Sequence, residues 1–284
     1  MYPRPVPGSS DRRQPIVAIL TLLLAAITTA GCAAGAPTIP LPPEGAAPDY
    51  QLGVAYPPAE GIGIVARDRG AAPVSGAYSI CYINAFQTQP GELDAWPADL
   101  LLSDAAGAVV RDPAWPEEAL LDTSSASNRA RIASILEEWI GGCAESGFDA
   151  VEFDNLDTYA RSDGALKLHD NLALAADLVA AAHEAGLAAG QKNAAEDAAT
   201  LRERAGFDFA VAEECLVFDE CGLYTAAYGA HVIAVEYSDT GIDFARACDE
   251  PSAPASLVLR DRDLVGPGDD AYVFGVCGPL PAAR

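Results

Sequence analysis

Short runs of apolar, β-favouring residues recur along the chain at 61–66, 78–83, 119–121, 149–153, 187–191, 208–212, 231–235 and 256–259. Each has the length and composition of a buried strand. Between the later runs the apolar positions change to helical spacing. Ile132, Ile135, Leu136 and Trp139 share one face of a helix predicted to start near Ser127. Leu172, Leu174, Ala175, Leu178, Val179 and Ala182 define a second helix, closed by Gly186 in the position where a left-handed residue is favoured. Shorter helices are expected at 201–206 and 219–229. Eight strands separated by crossovers predict an α/β fold, a single (β/α)8 TIM-type barrel. A doubly wound open sheet is the alternative. It is disfavoured because no glycine-rich phosphate fingerprint follows the first strand.

The N-terminus has a different pattern. Arg12 and Arg13 precede a run from Ile16 to Ile27 of apolar residues and threonine. That is the polarity of an export signal, and the run is too short to span a bilayer stably. Thr29-Ala30-Gly31-Cys32 resembles the lipobox of bacterial lipoproteins, with Thr29 where leucine is usual. These features predict a signal peptide over 1–31, lipidation of Cys32, a flexible Ala/Pro/Gly tether over 32–48 and the barrel over 49–284. The expected location is the extracellular face of the cell membrane, held by the lipid anchor only, with simple secretion as the alternative.

Composition narrows the partners. Half of the 284 residues are hydrophobic and 20% are charged, which is a globular balance. Seventeen basic against 41 acidic residues give a net charge of −24, which argues against a nucleic-acid partner. Beyond Cys32, six cysteines remain, an even number that an exported chain would hold as disulfides. Cys215–Cys221 is the most local pairing and Cys248–Cys277 would staple the C-terminal end, although other pairings stay open. No C-x-x-C pair occurs, so no metal site is expected.

The polar residues that follow each run carry the chemistry. The predicted strands end in Asp68, Asn84, Asp122, Glu152/Asp154, Lys192/Asn193, Glu213/Glu214, Glu236/Tyr237 and Arg260/Asp261. In a barrel these ends converge on one mouth, where active sites are built. In Ala150-Val151-Glu152-Phe153-Asp154 the small and acidic residues share a face, which points Glu152 and Asp154 inward. The same small-in, large-out rule turns Lys192, Glu236 and Glu214 inward. Lys192 is then an ion-pair partner of these acids or, alternatively, a Schiff-base nucleophile. A mouth lined by carboxylates suits glycosidic hydrolysis, in which one acid protonates the leaving oxygen and a second stabilises or attacks the sugar. Trp96, Trp115, Tyr159 and Tyr237 are candidates to stack on sugar rings.

Several blocks occur in a telling order: Tyr50-Gln51-Leu52-Gly53, then Gly147-Phe148-Asp149-Ala150-Val151-Glu152-Phe153-Asp154-Asn155. Ala182-His183-Glu184-Ala185-Gly186-Leu187, Gln191-Lys192-Asn193 and Phe207-Asp208-Phe209-Ala210 follow. Over roughly residues 49–277 the chain thereby resembles glycoside hydrolase family 114, the endo-α-1,4-polygalactosaminidase-like barrels. The resemblance implies an exported enzyme that cleaves α-1,4 bonds in galactosamine-containing polymers without a cofactor. It implies Asp154 as nucleophile or stabiliser and Glu213 as general acid/base. Glu152, Lys192, Asn193, Asn155, Asp68, Asn84, Glu214, Glu236 and Tyr237 are then the candidate substrate-binding positions. The chain departs from the family in Ala212-Glu213-Glu214-Cys215, where Asn-Glu-Gln-Cys is usual, in Asn84-Ala85-Phe86-Gln87, where an acid is common, and in Phe153, where proline is usual. Because inward parity on that strand selects Glu214, it remains the second choice for the acid/base. A monomer is expected. The alternatives are a non-catalytic carbohydrate-binding lipoprotein on the same barrel and a Lys192-dependent lyase or aldolase.

Overall fold

The computed structural model describes Gly8 and residues 38–279. The expected signal peptide (Gly8 apart), Cys32 and the first part of the expected tether lie outside the described residues. Residues 38–47 run along the barrel: the Pro40 carbonyl accepts from Tyr78 Oη at 2.9 Å, and Ile39 and Ala46 pack on the interior cluster.

Eight parallel strands follow in sequence order: β1 (Pro48–Gln51), β2 (Ile64–Asp68), β3 (Tyr78–Asn84), β4 (Ala150–Asp154), β5 (Ala188–Lys192), β6 (Phe209–Glu213), β7 (Val232–Tyr237) and β8 (Ser256–Arg260). A ninth, β9 (Phe274–Val276), pairs antiparallel with β8. The helices α1 (Ala126–Ser146), α2 (Leu168–Glu184), α3 (Ala198–Thr200, continued as a π turn), α4 (Cys221–Tyr228) and α5 (Phe244–Ala247) cover the outside. This is the expected (β/α)8 barrel, nearly closed. The seam between β8 and β1 is bridged by the fully buried Arg260, whose guanidinium donates to the Tyr50 carbonyl and lies 3.3 Å from Asp49 Oδ1.

Local signals explain the long helices. The Ser125 hydroxyl accepts from Asn128 N–H at the start of α1, and Gly147, at φ 92°, closes it in the left-handed region. The Asp170 carboxylate accepts from Lys167 N–H at 3.1 Å and caps α2. Three disulfides staple the domain: Cys81–Cys143, Cys215–Cys221 and Cys248–Cys277.

Two expectations need correction. Residues 119–121 are not a barrel strand. They make isolated antiparallel bridges to Gln87, Leu101 and Arg111 within the long β3–α1 connection. Asp122 therefore lies away from the mouth, accepting from Ser124 N–H and Asn128 Nδ2. Its place in the barrel is taken by β1, in which Asp49 and Gln51 are buried polar residues satisfied across the sheet.

The small-in, large-out rule also fails on two strands. Phe209, Val211, Ile233, Val235 and Tyr237 belong to the interior cluster, whereas Ala210, Ala212 and Ala234 belong to the outer cluster with Tyr224 and Tyr228 of α4. The cause is volume. Ala150, Ala188 and Gly190 leave room inside, and a Cβ on Gly190 would lie 2.4 Å from the Phe209 ring. The large helix side chains in turn need small residues beneath them. The outcome places Glu213 inward and turns Glu236 and Glu214 off the interior.

Candidate active site

The C-terminal ends of β4, β5 and β6 bring Asp154, Lys192 and Glu213 together. Lys192 Nζ lies 3.1 Å from Glu213 Oε2, 3.3 Å from Asp154 Oδ2 and 3.7 Å from Glu152 Oε1. A single ammonium, 3% exposed, thus holds three carboxylates. Burial disfavours that ammonium, but the three acids outweigh burial and keep its pKa well above the usual lysine value. Ion pairing is the role these contacts describe.

The three acids differ in surroundings. Glu152 is fully buried and accepts from Tyr50 Oη at 2.6 Å. Burial pushes its carboxyl up to about 7, against the pull of Lys192. Asp154 accepts from Tyr82 Oη at 2.7 Å and from Asn155 N–H at 2.7 Å. Glu213 accepts from Tyr237 Oη and from Asn193 Nδ2 at 3.0 Å. Burial raises the Glu213 carboxyl, but Lys192, Tyr237 and Asn193 together outweigh it and hold the group below the ordinary glutamate range. The Asn193 side chain also accepts from Glu213 N–H at 2.9 Å, which fixes the strand end.

Asp154, Lys192 and Glu213 open onto a cavity of about 340 Å³, whose wall includes Tyr82, Trp115, Glu118, Asn155, Asn193, Glu214, Tyr237 and Arg262. A second lobe of about 230 Å³ continues past Trp115 and Asp154 to Asp112, Asp157 and Arg161. The two lobes form a cleft with Asp154 on both sides of their junction. A larger hollow of about 640 Å³ lies on the outer surface along α1 and α2, away from these groups. Among the described residues, no group of three or more His, Cys, Asp or Glu is arranged to hold a metal ion.

Of the expected positions, Asp154, Glu213, Lys192, Asn193, Asn155, Glu214 and Tyr237 line the cleft, and Glu152 lies beneath Lys192. Asn84 stands one layer back: it donates to Glu118 Oε2 at 2.9 Å and accepts from Asn155 Nδ2 at 2.9 Å. Asp68 accepts from Gly70 N–H and from Gln89 Nε2 and does not line the cavity. Glu236 faces outward, accepting from Leu216 N–H, and is no partner of Lys192. Glu214, at φ 56°, turns to Arg262 Nη2 at 2.8 Å on the rim. Trp96 is buried edge-on against Trp139, and Tyr159 donates to Asp197, so neither is a sugar platform in this cleft. Tyr50, Tyr82, Glu118 and Arg262 were not expected at the site. Tyr82 shares the parity of Asn84 and was legible in principle, whereas nothing local marks Glu118.

Comparison with known proteins agrees with this fold. Among solved structures, the chain is similar to Aspergillus fumigatus Ega3 in complex with galactosamine, at 24% identity and a TM-score of 0.66, covering 82% of this chain and 97% of that one. It is also similar to the glycoside hydrolase domain of PelA from Pseudomonas aeruginosa, at 17% identity and a TM-score of 0.53, covering 77% of this chain and 94% of that one. At these identities the likeness concerns the fold. No curated protein sequence matches. The model of glycoside-hydrolase family GH114 matches residues 28–279, nearly the whole chain. The protein is therefore a glycosidase and belongs to family GH114.

Proposed function

We propose that the protein is an exported glycosidase that cleaves α-1,4 bonds in a galactosamine-containing polysaccharide, with Asp154 as nucleophile and Glu213 as general acid/base. The observation that carries the reading is the shared contact of Asp154 and Glu213 with Lys192. Since both oxygens contact one nitrogen, at 3.3 and 3.1 Å, they lie no more than the sum of those distances apart, about 6.4 Å. That bound on the nearest oxygens accommodates the roughly 5–5.5 Å separation of retaining pairs.

In this scheme Asp154 attacks the anomeric carbon while Glu213 delivers a proton to the leaving glycosidic oxygen. Water then attacks the glycosyl–Asp154 ester, giving its proton to Glu213 and releasing Asp154 as a carboxylate. Lys192 and Tyr82 hold Asp154 oriented for attack. Because Glu213 is held low in the free protein, its protonated form depends on substrate weakening its contacts with Lys192 or Tyr237. The galactosamine in the Ega3 structure supports an amino-sugar substrate by analogy.

Export is supported by the three disulfides, which persist in oxidising compartments. Anchoring through a lipidated Cys32, a removed segment over 1–31 and action as a monomer belong to the same proposal. No described helix is long and apolar enough to cross a membrane. The test is release of reducing ends from α-1,4-linked galactosaminogalactan. Asp154→Asn and Glu213→Gln are each expected to lower kcat by roughly 10²–10⁴ while the variants still fold, as checked by circular dichroism. Undiminished hydrolysis by both variants would remove the assignment, and binding without hydrolysis by the wild type would favour a carbohydrate-binding role.

A further inference from the structure

The carboxylates of the cleft are neutralised almost one by one. Asp154 and Glu213 share Lys192, and Glu214 holds Arg262 at 2.8 Å. In the second lobe, Asp112 and Asp157 share Arg161, at 2.7 and 2.8 Å. Glu118 is the exception. Among the described residues it has no ion-pair partner: its Oε2 accepts from the neutral Asn84 amide at 2.9 Å, and its Oε1 has no protein donor. Glu118 is 9% exposed and lines the cavity. A carboxylate stripped of most of its water and left without a cation is costly unless a cation arrives from outside.

The neighbouring group has matching chemistry. Trp115 is 54% exposed and lines both lobes of the cleft. Glu118 N–H donates to the Trp115 carbonyl at 2.9 Å, so one tight turn carries both side chains. The buried Asp112 fixes that turn, accepting from Ala114 N–H at 2.8 Å and Trp115 N–H at 3.2 Å while Gln87 Nε2 donates to its other oxygen at 2.7 Å. An indole and an unpaired carboxylate carried on one fixed turn are suited to an ammonium group, through cation–π attraction and a charge-assisted hydrogen bond. Acetylation of that amine would remove its charge and weaken both attractions. Burial also pushes the Glu118 carboxyl up to about 7, against the Asn84 amide, so an arriving cation stabilises its ionised form.

We propose that Glu118 and Trp115 form a subsite for a protonated amine of the substrate, and that this pair selects a free amino sugar over its N-acetylated form beside the Asp154–Glu213 centre. The inference rests on the functional reading above and deepens it. The test uses the full chain carrying Asp154→Asn, which permits equilibrium binding. Deacetylated and fully N-acetylated α-1,4-galactosamine oligomers of equal length are titrated calorimetrically. The same is done after adding Glu118→Gln or Trp115→Ala, with wild-type hydrolysis of both oligomers measured in parallel.

The expected result is tighter binding of the deacetylated oligomer, weakened roughly tenfold by Glu118→Gln, while affinity for the N-acetylated oligomer stays within about twofold. Retained N-acetylated binding also shows that the variant is folded. Trp115→Ala should weaken deacetylated binding by roughly two- to fivefold, the range of a partly exposed cation–π contact. An equal loss for both oligomers, or no loss on Glu118→Gln, overturns the subsite. So does a preference for the N-acetylated oligomer, while wild-type hydrolysis leaves the functional reading standing. A wild type that cleaves neither oligomer, with no binding by Asp154→Asn, overturns both.

Discussion

Replacing Lys192 by methionine keeps the shape of the side chain and removes its charge. Three carboxylates then face one another without a cation, all of them within 3.7 Å of the former nitrogen. Removing one partner of a buried ion pair costs about 3–5 kcal/mol, chiefly because the remaining charge is left unpaired. Lys192→Met should therefore be destabilised by about that amount at pH 8. The pH dependence is the sharper test. In the wild type the folded Glu213 pKa is depressed, so it contributes stability present above the unfolded value, about 4.3, and lost as pH falls through the folded value. Without Lys192 that depression is relieved, and Glu152, already at about 7, rises further. The folded variant then binds more protons than the folded wild type between pH 5 and 8. The stability gap must widen with pH across this window and narrow towards pH 5. Urea unfolding followed by circular dichroism at both pH values measures it. A gap of equal size at pH 5 and 8, or a larger one at pH 5, would refute the account of the triad.

Tyr237→Phe removes a donor to ionised Glu213; the limb of the kcat/KM–pH profile that reports Glu213 should move to higher pH, and an unmoved limb would mean that Tyr237 does not tune it. Gly190→Ala places a Cβ 2.4 Å from the Phe209 ring and should cost about 1–3 kcal/mol. At roughly 2–4 °C per kcal/mol, the drop is readable in a thermal melt, and an unchanged midpoint would show that Phe209 can move aside. The proposed double displacement predicts that the first sugar released keeps the α configuration, observable by NMR before mutarotation, whereas initial release of the β anomer would exclude it.

What was legible depended on whether partners were local. β4 sets small and acidic residues against Val151 and Phe153, and β5 puts Lys192 on the face of Ala188 and Gly190, so Glu152, Asp154 and Lys192 could be turned inward from the chain alone. On β6 and β7 the same rule failed, because the side that takes the bulky residue depends on Gly190 across the sheet and on Tyr224 and Tyr228 of α4. β1 was hidden for a related reason. Its buried Asp49 meets Arg260, 211 residues further along the chain, and no local pattern announces that pair.

The cleft's charge has the same character. A net −24 suggests a diffuse attraction for cationic chains. Yet five of the six carboxylates that line the two lobes are engaged by Lys192, Arg161 or Arg262. Charges paired at these distances largely cancel beyond a Debye length, about 8 Å at physiological salt. Any selection for an amine inside the cleft must therefore arise at short range. The residue left to exert it is Glu118, which reaches the cleft on a connection that resembles a barrel strand in sequence and is held there by Asn84.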